Sequence, residues 1–100
     1  MQATYAASFE REHGCTEREW LSWLSGAARD HALRLLGPNQ AHIAIGSGSL
    51  HLSWQVLPSR RLGMASFPRL QVRYQFDALS DVERVAFMRY FDLYMQRGGG

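Results

Sequence analysis

Three groups of side chains in this chain of 100 residues have types and spacing from which chemistry could be built. Cys15 follows His13 by two positions and precedes Thr16, where a helix begins; the field at a helix N-terminus lowers a thiol pKa and makes a nucleophile. Glu17 and Glu19 stand in the same stretch and oppose a thiolate. Nucleophilic catalysis also requires a base and an oxyanion site, and no complete set surrounds Cys15. It reads as a small apolar contact at the start of the helix, whose removal should cost little. His42 and His51 fall on the polar parity of two strand-like runs as diagonal neighbours, and His31 on the apolar side of a helix. These do not supply the three or four ligands of a zinc site. No metal, no cofactor and no enzymatic activity are expected.

The third group, Arg60, Arg61, Leu62, Met64, Phe67, Arg69 and Arg73, suits binding rather than reaction. Most of it lies in the connection between Pro58 and Pro68, which is longer than the about 4 to 6 residues a connection usually takes. Methionine, aromatic side chains and arginine are the types enriched at protein interfaces. If the segment extends a hairpin, with Gly63 at a bulge, its apolar residues should pack under the helices. If it is an interaction element, some of them stay exposed.

Charge narrows the partner. The chain has 11 basic residues, all arginine, against 9 acids, for a net charge of +2, which is too small to imply a polyanionic partner. Residues 37–76 hold four arginines and no acid, so the positive field sits on the sheet and its loops. Nucleic-acid binding through Arg60, Arg61, Arg69 and Arg73 is therefore the competing reading. Gly46-Ser47-Gly48-Ser49 runs into a strand, lacks a lysine and meets no helix dipole, so it is not a phosphate loop. One cysteine excludes an internal disulfide. No basic segment followed by an apolar run opens the sequence, and no stretch approaches the roughly 18 apolar residues of a membrane span; a soluble, cytoplasmic protein is expected.

These residues need a scaffold, and hydrophobic periodicity predicts one. Leu50, Leu52, Trp54 and Val56 alternate with polar residues, as do Leu70, Val72, Tyr74 and Phe76, which is the pattern of an antiparallel sheet with one wet face. Ala41–Ile45 adds a third strand through the hairpin loop 46–49, with Ile45 opposite Leu50. Thr16 and Glu19 have capping-box spacing and open a helix whose stripe of Trp20, Leu21, Leu24, Ala27, Ala28, His31 and Leu35 runs to Gly37-Pro38, with a break near Gly26 as a variant. Ser80 and Glu83 repeat the box before a helix carrying Phe87, Phe91 and Tyr94, its apolar arc wider than three short strands need. The fold class is α+β in the order α-β-β-β-α, a three-stranded antiparallel meander with helices on one face. Residues 1–14 are an N-terminal arm or short helix, 15–97 the single domain and 98–100 a flexible tail.

That order resembles the topology of double-stranded RNA binding domains, which grip phosphate with a basic start to the second helix. Here that helix starts Ser80-Asp81-Val82-Glu83, which is acidic, and the resemblance stops at topology. The expected role is a small non-enzymatic domain that binds another protein, or a second copy of itself.

Overall fold

The alternation at 50–56 and 70–76 gives the two longest strands of the computed structural model, which describes residues 4–98. In chain order the elements are β1 (Ser8–His13), α1 (Glu17–Ala28), β2 (Leu33–Leu35), β3 (Gln40–Ile45), β4 (Gly48–Leu62), β5 (Ala65–Asp77) and α2 (Asp81–Gly98). The sheet is antiparallel and five-stranded, in the order β1-β5-β4-β3-β2. The α+β class and the one-sided helical cover hold, and the three-stranded meander gains a strand at each edge.

Neither added strand was expected: residues 8–13 lie in the stretch read as an arm or short helix, and 33–35 in the stretch read as the end of the first helix. Residues 8–13 are not a helix: Phe9, Arg11 and His13 turn to the inner face opposite Tyr74, Val72 and Leu70, and Glu10 and Glu12 turn outward. Pairing with β5 satisfies their backbone, which a two-turn helix could not do without packing of its own. Residues 1–3 and 99–100 of the expected arm and tail lie outside the described residues. The helix expected to reach Leu35 stops at Ala28, after which Arg29 takes φ 55 and its N–H bonds Gly26. Leu33 and Leu35 then alternate about Arg34 as β2, opposite Ile43 and Ala41.

Gly26 marks neither a kink nor a break. It lies within α1, and a Cβ there would collide with the ring and hydroxyl of Tyr94 from α2. Both capping boxes form as their spacing predicts. The Glu19 N–H donates to Thr16 Oγ1 at 3.1 Å and the Thr16 N–H to Glu19 Oε1 at 2.9 Å; Ser80 and Glu83 exchange the equivalent bonds at 2.8 and 3.2 Å. Arg84 ties the chain ahead of β1 to the start of α2 by donating to the Tyr5 carbonyl and the Leu79 carbonyl, each at 2.8 Å.

The core lies between the inner face of the sheet and the two helices. Trp20 meets Trp54 and Phe91 edge-on, and Phe91 meets Tyr74 in the same way. Phe76 packs on Phe87. With five strands to cover, α2 buries Phe87, Met88, Phe91 and Met95, so its wide apolar arc is core rather than interface. Leu21, expected in the stripe of α1, is exposed, and Trp20 Nε1 is buried without a hydrogen-bond partner among the described residues.

The β3–β4 hairpin differs from expectation by two residues of register. Ile45 faces Gly48, Ile43 faces Leu50 and Ala41 faces Leu52, with Gly46 at φ 57 in a two-residue loop. A shift of two preserves which side chains face the core. It also sets His42 directly opposite His51 rather than diagonal to it.

Candidate interaction surface

The helices do not cover the whole length of β4 and β5. Leu70 is fully buried, but Val56 directly opposite it is 62% exposed. From there the two strands continue as a ribbon arm to a turn at Gly63 and Met64, where Gly63 takes φ 61. The segment 58–68 is thus an extension of the hairpin, yet its apolar residues do not pack under the helices. Leu62 is 63% exposed, Phe67 is 47% exposed and Met64 is fully exposed.

A bulge decides which way the arm's side chains point. Leu57 pairs with Arg69 and Arg60 with Phe67, so Pro58 and Ser59 together oppose Pro68. The extra residue reverses parity along β4. Before it, even-numbered residues face the core; after it, Arg60 and Leu62 join Phe67 and Arg69 on the outer face, and Arg61 turns inward. The expected bulge at Gly63 is therefore displaced to 58–59, because Gly63 makes the turn.

The arginines of the expected site fare differently from its apolar members. Arg69 binds Glu12 through Nε and a terminal nitrogen at 3.1 and 2.9 Å. Arg60 lies 3.7 Å from the same carboxylate, which its position after the bulge allows. Arg73, in the body of the sheet rather than the arm, lies 3.5 Å from Glu10. The hydrogen bond from Arg69, with the charges of Arg69 and Arg60, holds Glu12 below the ordinary carboxylate range. The missed members of this surface are Glu10 and Glu12, and the alternation Phe9, Arg11, His13 was the signal that β1 would carry them beside the arginines.

A concavity lies between β1 and α2, a cleft of about 520 Å³ lined by residues that include Arg11, His13, Arg89, Asp92 and Leu93. Arg11 points inward from β1 and grips Asp92 with two nitrogens, at 2.7 and 3.3 Å. Tyr5 donates its hydroxyl to the same carboxylate. Burial pulls the Arg11 pKa down, but the hydrogen bond and charge of Asp92 outweigh it and the net shift is upward. His13 Nε2 lies 2.7 Å from the Tyr74 hydroxyl; burial first, then the Arg11 charge, lower its pKa, so the ring is neutral at pH 7. Cys15 is buried, and burial, with Glu19 adding, pushes its thiol up to about 11. A protonated thiol at neutral pH is a poor nucleophile.

Among the described residues, no three His, Cys, Asp or Glu side chains gather as a metal site, and no helix is long and apolar enough to cross a membrane. Set against protein-family models, curated proteins and solved structures, the chain matches none of them.

Proposed function

We propose that this domain is a non-enzymatic protein-interaction module whose contact element is the β4–β5 arm. One observation carries the reading: Leu62, Met64 and Phe67 stand exposed at the end of a paired ribbon that runs past both helices. Apolar side chains already placed by strand pairing require less ordering of the backbone when a partner covers them. Pro58, in the bulge, and Pro68, opposite it, lack the N–H that a neighbouring strand needs, so edge-on pairing is interrupted at the base of the arm. The outer face of the ribbon is then the contact surface. Arg61 has no ion pair among the described residues and turns the other way, which suits a partner that wraps the tip and offers a carboxylate. The cytoplasm, where a lone cysteine stays reduced, is part of the same reading.

Protein is favoured over nucleic acid because Arg60, Arg69 and Arg73 are already paired with Glu12 and Glu10. Phosphate contacts would have to displace those carboxylates. The test is affinity capture with the wild-type chain and a Phe67→Ser/Met64→Ser variant, followed by titration of the purified partner. The variant should keep its stability within about 0.5 kcal/mol, as exposed substitutions do, and lose the partner. The same partner bound equally by both proteins would overturn the reading. So would a nucleic-acid affinity that falls steeply with salt. A wild-type dimer that the variant abolishes would identify the partner as a second copy.

A further inference from the structure

One backbone bond fixes which groups of the edge strand β1 face outward. The Phe76 N–H donates to the Ala7 carbonyl at 2.7 Å, so Ala7 and Phe76 form a hydrogen-bonded pair. Such pairs alternate along an antiparallel ladder. In this register Phe9, Arg11 and His13 direct their backbone groups to β5, and the N–H and C=O of Ser8, Glu10 and Glu12 point to the open side, where no described strand pairs. The cleft beneath α2 opens beside this edge. Its volume of about 520 Å³ lies within the roughly 300–1,000 Å³ of ligand pockets. Arg11 and Asp92 cancel one another and His13 is neutral, so the uncompensated charge in the lining is Arg89, which has no ion pair or hydrogen bond among the described residues. Leu93 and Met95 supply the apolar wall.

We propose that the open edge of β1 and the adjoining cleft bind an extended peptide segment of a partner protein by strand addition, with an acidic side chain at Arg89 and apolar side chains two positions to either side. Strand addition takes affinity from main-chain bonds and specificity from pockets that read alternate side chains. Six residues of β1 span about 20 Å, which sets a segment of about six or seven residues. On its other face the peptide would lie beside Glu10 and Glu12, already held by Gln71, Arg73 and Arg69, and small neutral side chains suffice there. A second copy of the chain fits poorly in the two registers that overlap most of β1. Two-fold pairing centred on Glu10 sets that residue against itself, and pairing centred on Arg11 sets Arg11 against itself and Glu10 against Glu12. Like charges directly opposite are destabilising.

The probe is the end-blocked peptide Ser-Leu-Thr-Asp-Thr-Leu-Ser, which reads identically in both directions and so admits parallel and antiparallel addition. It is titrated to millimolar concentration into the isotope-labelled full chain, followed by NMR. Saturable shifts along β1 and α2 are expected, with slowed amide exchange at Ser8, Glu10 and Glu12. Replacing the peptide's aspartate with lysine should weaken binding by about tenfold or more, a change of one decade in Kd. Arg89→Glu, at an exposed position, should reverse that preference without altering the thermal melt. No saturable binding of the aspartate peptide would overturn the proposal. Binding that leaves those three amides exchanging as before, or that is indifferent to Arg89→Glu, would do the same.

Discussion

At the scale of single residues, a half-hidden ion pair and a buried thiol carry expectations that differ from a surface reading. Arg11 and Asp92 are each about a quarter exposed, 24% and 23%, and Asp92 also accepts from Tyr5. Removing one partner of such a pair leaves the other's charge poorly solvated. Asp92→Ala should cost about 2–3 kcal/mol in urea unfolding, below the fully buried range because water still reaches the pair. The double variant Arg11→Met/Asp92→Leu should be less destabilised than Asp92→Ala, since no orphan charge remains. Cys15 corrects the expectation that its loss matters little. It is 3% exposed within the core, so Cys15→Ser, which buries a hydroxyl, should cost about 1–3 kcal/mol, and Cys15→Ala clearly less.

Among the elements, the closest approach is that of α1 to α2 at Gly26. Glycine inside a helix normally gains about 1 kcal/mol on replacement by alanine. Here the added Cβ meets the Tyr94 ring, and overpacking of this kind costs about 1–3 kcal/mol. Gly26→Ala should therefore lower the urea midpoint, and Tyr94→Ala in the same chain should recover much of the loss. The role of Gly26 was not legible in sequence, because its reason is a residue 68 positions away in another element. The central strands and both capping boxes were legible, since period-two alternation and Ser/Thr-x-x-Glu spacing are local signals. β1 and β2 were not, because six and three residues carry too little periodicity to compete with adjoining helical patterns. At the arm, the extension of the hairpin was one of the two readings of the segment, but the facing of its side chains was not legible, as a bulge at 58–59 reverses parity without any glycine to announce it.

For the molecule as a whole, acid should act in two stages. The His13 pKa in the folded state lies below its ordinary 6.5, so the unfolded chain binds the extra proton and stability falls as pH drops through about 6.5 toward the folded value. Glu12 and Glu83 are held below their ordinary 4.5 by hydrogen bonds from Arg69 and Ser80; their contribution is present above 4.5 and is lost as pH falls further. Urea midpoints should decline as pH falls through about 6.5 and again as it falls below about 4.5, and His13→Gln should flatten the first decline. A flat wild-type profile across the upper range would show that His13 does not carry it. The arm takes no part in either stage beyond the Arg60 contact with Glu12, and it is separate from the core in another respect. Trp20 and Trp23 lie on α1 and Trp54 on β4, all three in or packed against the core, and residues 56–69 contain neither tryptophan nor tyrosine. Intrinsic fluorescence therefore reports helix docking and is blind to the ribbon: an arm that frayed or closed on a partner would leave the spectrum unchanged. Phe67→Trp would give the silent region its own lamp, emitting at long wavelength while wet and shifting to the blue when covered.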